Sequence, residues 1–176
     1  MAASLKPPVG PADHAQGAAT APVTLVEYGD YQCPSCGEAY PIIKRIQNKM
    51  GPQLRLVFRN FPLTEMHPLA MGAAEMAEAA ALQDKFWQMH DTLYENQDTL
   101  DPDNLVEHAR RLGLDTVKLK ADLAGKAVPT RVRSDFKSGV RSGVNGTPTL
   151  FINGVRFDGN WTDEGELLDV LKEAAV

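Results

Sequence analysis

Val23-Thr24-Leu25-Val26-Glu27-Tyr28-Gly29-Asp30-Tyr31-Gln32-Cys33-Pro34-Ser35-Cys36 is the stretch that decides the fold. Its first half, with Val23, Leu25, Val26 and Tyr28, has the apolar character of a buried strand. Beyond it, Ile42, Ile43, Ile46 and Met50 recur at helical spacing until Gly51-Pro52 stops the run. Cys33 and Cys36 are the only two cysteines of the chain, and they stand where strand gives way to helix. A Cys-x-x-Cys in that place reads as a redox dithiol. The helix N-terminus offers unpaired N–H groups and a partial positive charge, which stabilise a thiolate on Cys33. Cys36 lies about one helical turn further in, close enough to close a small disulfide ring.

Two blander readings of the pair are weaker. Structural zinc takes four Cys or His ligands, but there is no second cysteine pair, and His14, His67, His90 and His108 are scattered singly, so no metal is expected. A purely structural disulfide over so short a loop constrains the unfolded chain little.

At 176 residues the chain is long enough for one domain with a real core, or for one domain with an insertion. Its composition is that of a globular protein, 43% hydrophobic and 23% charged. A net charge of −5 argues against a general binder of nucleic acid or anionic membrane. No apolar run approaches the ~20 residues of a membrane span. Met1 to Ala21 lacks the apolar core of a secretory signal, so a cytoplasmic protein is expected, or an exported one if a leader has been trimmed.

Outward from the dithiol, residues 1–21 read as an irregular arm. Leu54, Leu56, Val57 and Phe58 form a second strand, ended by Asn60-Phe61-Pro62, so the start of the fold is a βαβ unit with a parallel pair. From Thr64 to Ser142 every pattern is helical. Leu69–Leu82 holds seven alanines, and Phe86, Met89, His90, Leu93 and Tyr94 share one face. Asp101-Pro102 and Asp115 are helix starts, Pro129 opens another helix, and Val132, Phe136 and Val140 form its stripe. Strand character returns at Thr149-Leu150-Phe151-Ile152, turns at Asn153-Gly154 and continues through Val155-Arg156-Phe157. Asp163–Ala175 closes the chain as a helix. The order is β-α-β, a helical block, then β-β-α. The expected organisation is therefore an α/β domain from 22–63 and 143–176, with residues 64–142 as an inserted all-helical domain.

Pro148 precedes a strand that reads as buried, where a proline needs a positional reason. An ordinary trans proline at a strand start is one explanation. With the dithiol upstream, a cis proline that leaves the backbone of Thr147 free for an extended peptide is the better one. Glu27 stands in an apolar strand. A surface glutamate on an edge strand is the plain alternative; in a buried strand its pKa rises and it suits proton transfer to and from Cys36. Thr64, His67, Trp87, His90 and Trp161 carry no decisive signal, although a histidine close to the dithiol would tune it.

These residues resemble the DsbA-like thiol–disulfide oxidoreductases of the thioredoxin-fold superfamily. The likeness lies in Val23–Cys36, in Gly143-Val144-Asn145-Gly146-Thr147-Pro148-Thr149-Leu150-Phe151-Ile152-Asn153-Gly154, and in the helical block between them. The resemblance implies a thioredoxin fold with a helical insertion. It implies Cys33 as nucleophile, Cys36 as resolving thiol, Glu27 as buried acid, and Pro148 as cis-proline preceded by Thr147. Pro34 and Ser35 are then the residues between the thiols that tune them. Oxidases of the family carry histidine where this chain has Ser35, so a less oxidising couple is expected.

The expected function is thiol–disulfide exchange with protein or peptide thiols, or with glutathione, in either direction. The Cys33–Cys36 dithiol is itself the redox centre, without organic cofactor or metal, and a redox partner recharges it. Two other functions fit the same scaffold. A glutathione-linked transferase or isomerase would not need Cys36, and a non-catalytic peptide-binding or chaperone module would need neither thiol.

Overall fold

The structure is a computed structural model that describes residues 1–176. Strand β1 (His14–Gln16) and strand β2 (Val23–Gly29) lead into helix α1 (Pro34–Met50), and a 3₁₀ turn at Gly51–Gln53 leads to β3 (Leu54–Asn60). Five helices follow: α2 (Ala70–Ala81), α3 (Phe86–Glu95), α4 (Pro102–Arg111), α5 (Thr116–Ala124) and α6 (Ala127–Arg141). The hairpin β4 (Thr149–Ile152) and β5 (Val155–Arg156) and helix α7 (Glu164–Ala174) complete the chain. No helix is long and apolar enough to cross a membrane.

The sheet runs β1-β3-β2-β4-β5, which puts β2 at its centre. β2 pairs in parallel with β3 and antiparallel with β4. Alternate residues of β2 point to opposite faces. Val23 and Leu25 pack with Ala39, Ile43 and Ile46 of α1 and with Leu167 and Leu171 of α7. Val26 and Tyr28 pack on the other face with Val57, Phe61 and Phe151. Glu27 and Gly29 share the parity of Leu25, so they face the α1 side. The helices α2 to α6 build a third apolar cluster, to which Tyr31, Cys33, Cys36 and Phe58 belong. The dithiol thus lies where sheet and helical block meet.

Local signals account for most element ends. The carboxylates of Asp101, Asp115 and Asp163 accept N–H bonds in the first turns of α4, α5 and α7. Asn153 and Gly154 both take positive φ, 48° and 82°, as a two-residue I′ hairpin turn demands. Helix α6 starts two residues before Pro129, which sits in the first turn where its missing N–H is harmless. Its stripe also differs from expectation. Val140 is exposed, and the buried face runs through Val128, Val132, Asp135, Ser138 and Gly139. The small residues allow a close approach, since a side chain at Gly139 would strike the Phe61 ring.

The first 21 residues are not irregular, as the sequence suggests. His14–Gln16 is an edge strand on β3, Ser4 bridges Val155, and Leu5 is buried. The hold is polar and long-range, which is why no local pattern reveals it. Arg59 in β3, 3% exposed, bonds Asp13 through Nε (2.8 Å) and Nη2 (2.9 Å). It also donates to the carbonyls of Pro7 and Pro8 and to the Tyr28 hydroxyl. His14 bonds Glu78 at 2.9 Å and stacks on Phe86.

Candidate functional site

β2 ends at Gly29, and Asp30 to Gln32 carry the chain to Cys33, the N-cap of α1. Pro34 fills the first helical position, where no N–H is needed, and it is exposed. Cys33 makes no side-chain capping bond, and the first-turn N–H groups of Ser35 and Cys36 favour its thiolate.

Three anchors fix this loop. The buried Asp30 carboxylate accepts from the N–H of Gln32 (2.8 Å) and of Cys33 (3.1 Å) through Oδ1. Through Oδ2 it accepts from the N–H of Leu63 (2.9 Å) and from Nδ1 of His67 (2.8 Å). Gln32 Oε1 accepts from the Leu69 N–H. From the helical block, Gln97 Nε2 donates to the carbonyls of Tyr31 and Cys33, each at 2.9 Å. A side chain at Gly37 would displace Gln97.

The two thiols are reduced and chemically unequal. The Cys36 S–H donates to the Cys33 sulfur, and this bond chiefly pulls the Cys33 pKa down to about 5. Partial burial opposes the shift; the neighbouring Thr147 and the backbone N–H groups of Cys36 and Ser35 add to it. Ser35 therefore contributes through its backbone. Cys36 is fully buried, and burial with the adjacent Cys33 sulfur pushes its thiol far up, so it stays protonated until it reacts. Glu27 is 2% exposed in the central strand, not on an edge, and burial raises its pKa to about 8, with the Cys33 charge assisting. Its Oε1 has no hydrogen-bond partner. Tyr94 OH is likewise unpartnered and occupies the space where a Gly29 side chain would stand, on the Glu27 face of β2.

The Thr147–Pro148 peptide bond is cis. The Cys33 thiol donates to the Thr147 carbonyl at 3.6 Å, so the loop before β4 lies over the nucleophile. Beside it opens a groove of about 270 Å³ lined by Pro148, Thr149, Arg156, Phe157 and Trp161, among others. Cys33, Cys36, Glu27, Pro34, Ser35, Thr147 and Pro148 therefore gather at one end of the sheet.

The remaining residues divide. His67 reaches the site through Asp30. His90 is buried, donates to or accepts from the Tyr31 hydroxyl at 3.0 Å, and is held neutral by burial. Trp87 packs at the edge of the same aromatic cluster, and Thr64 is exposed. Sequence reasoning passes over Asp30 and Gln97 as site residues and reads Tyr94 only as part of a helical face. Asp30 carries a local signal, an acid two and three residues before the amides it accepts from. Gln97 and Tyr94 carry none, because they arrive from 60 residues away in the chain.

Residues 10–172 match the family described as thioredoxin. Among solved structures, BdbD from Bacillus subtilis, in its oxidised form, superposes with a TM-score of 0.86 at 26% identity, covering 99% of this chain and 98% of that one. A thioredoxin-like oxidoreductase from Silicibacter pomeroyi gives 0.82 at 27% identity, covering 94% and 93%. Among curated proteins, the Na(+)/H(+) antiporter NhaA 1 of Salinispora arenicola is 44% identical over 158 residues, 89% of this chain and 24% of that protein. The chain spans about a quarter of the length of the curated relatives it matches. It belongs to the thioredoxin family and has the DsbA-like form of that fold.

Proposed function

We propose that this thioredoxin-family chain is a thiol–disulfide oxidoreductase that works through a mixed disulfide on Cys33. The observation that carries this is the inequality of the two thiols: a Cys33 held near pKa 5 at a helix N-terminus, above a buried, protonated Cys36. A low nucleophile pKa stabilises the reduced form, and a stable reduced form makes an oxidising disulfide. The direction favoured is disulfide donation, more oxidising than Ser35 alone suggests.

With the Cys33–Cys36 bond closed, a substrate thiolate attacks Cys33 Sγ. The S–S bond breaks, Cys36 leaves as a thiolate, and Glu27, neutral below pH 8, protonates it. A second substrate thiolate then attacks the substrate sulfur of the mixed disulfide and expels the Cys33 thiolate. The substrate has lost two electrons and the dithiol has gained them; a recharging partner removes them in turn. In the reverse direction Glu27 takes the Cys36 proton. The polypeptide substrate docks as an extended strand on the backbone of Thr147 and in the groove beside Pro148.

The longer relatives are named as antiporters, and that name describes those proteins. The dithiol chemistry proposed for this chain stands on its own residues. Equilibration with glutathione and thiol trapping tests the direction. A potential above about −200 mV supports donation of disulfides, and one near the −270 mV of thioredoxin overturns it in favour of reduction.

A further inference from the structure

Asp30 sits at the junction of the site and is used by none of the steps above. Its side chain has no exposure to solvent, yet four N–H donors converge on it, the bonding of an acceptor-only carboxylate. Two of the donors are the amides of Gln32 and Cys33. The other two, the Leu63 amide and His67 Nδ1, come from the segment between β3 and α2. The residue that binds the nucleophile's own N–H is therefore an acid. A buried negative charge this close disfavours a second one on Cys33 Sγ. Ser35, between the cysteines, brings no charge to offset it. His67 is the one side chain that donates to Asp30, and it is partly open to solvent, 16% exposed. It spreads and stabilises the carboxylate charge that the buried loop otherwise concentrates beside the sulfur.

We propose that Asp30 and His67 are positioning residues that set the oxidising strength of the dithiol, Asp30 weakening the preference for a Cys33 anion and His67 relieving that effect. This rests on the oxidoreductase function proposed above. The pair acts through the Cys33 amide and touches no substrate. A loop brace and a charge-setting pair make opposite forecasts. If Asp30 only braces the loop, its loss and the loss of His67 both loosen the first turn of α1, and both make the dithiol less oxidising. If the pair sets the charge balance, Asp30→Asn removes the opposing charge and makes the dithiol more oxidising, while His67→Ala leaves that charge uncompensated and makes it less so.

The test is the equilibrium constant with glutathione for the wild-type protein, Asp30→Asn, His67→Ala and His67→Gln, each confirmed folded by circular dichroism. The expected result is a shift of about tenfold towards the oxidising side for Asp30→Asn, equivalent to about 30 mV. His67→Ala moves at least threefold the other way, and His67→Gln, which keeps a neutral donor, recovers most of that loss. Shifts of one sign in both Asp30→Asn and His67→Ala, or no shift in either, overturn the proposal. Should Asp30→Asn fail to fold, equal constants for His67→Ala, His67→Gln and wild type still overturn the proposal. A wild-type protein that exchanges nothing with glutathione instead sinks the oxidoreductase function itself, a separate outcome.

Discussion

Replacing Glu27 by glutamine should stabilise the protein, and by an amount that grows with pH. In the folded chain Glu27 titrates near 8, against 4.5 when solvated, because burial in the central strand disfavours its anion. Below pH 4.5 both states hold the proton and burial of the neutral acid adds no pH dependence. Between 4.5 and 8 the unfolded chain releases the proton while the folded one keeps it, so stability falls by about 1.4 kcal/mol per pH unit. Above 8 the folded carboxyl ionises too and the loss levels off at about 5 kcal/mol. Glu27→Gln removes the titration and keeps the shape. Its advantage should be under about 1 kcal/mol at pH 5 and about 3 kcal/mol at pH 7. Urea unfolding of both proteins at pH 5, 6, 7 and 8, kept reduced with a phosphine, measures this directly. A difference that stays level from pH 5 to pH 8 would refute the assignment of Glu27 as a buried neutral acid, and with it the proton donor proposed for Cys36.

Other substitutions and titrations test the rest of the account. Alkylation of Cys33 by iodoacetamide should reach half its maximal rate near pH 5, and a midpoint near 8.5 would mean that neither the Cys36 thiol nor the first-turn N–H groups stabilise the thiolate. Gly29→Ala should destabilise the fold by about 1–3 kcal/mol, because the added carbon meets the Phe58 ring and the Tyr94 hydroxyl in a filled core, and a neutral effect in thermal unfolding would contradict that packing. Asp13→Ala leaves the Arg59 charge buried without its partner and should cost about 3 kcal/mol. A stability change below about 0.5 kcal/mol, the ordinary range for surface substitutions, would show that the first 16 residues are not held as described.

The fold was legible where local chemistry dictates it. The apolar run from Val23, the helix behind Cys33, the capping acids at Asp101, Asp115 and Asp163, and the Asn153-Gly154 turn each rest on neighbours in the chain. The seven proposed site residues were legible for the same reason: each lies in a short segment with its own signal. What escaped was built across distance. Residues 1–21 look featureless because the partner that orders them, Arg59, lies in a strand some 45 residues on. The α6 stripe misled because its buried face contains Asp135 and Ser138, polar residues satisfied by Asn60 and Tyr28. Gln97 looks like any surface glutamine until α3 is packed against the dithiol loop.

The central claim is that Cys33 forms the mixed disulfide and Cys36 resolves it. Mass spectrometry of Cys36→Ser after reaction with a disulfide-bonded peptide is the most direct test. The account predicts a stable one-to-one adduct mapped to Cys33, formed at pH 6 as well as at pH 8, and none in Cys33→Ser. An adduct on Cys36 when Cys33 is absent, or turnover by Cys33→Ser equal to wild type, would contradict it.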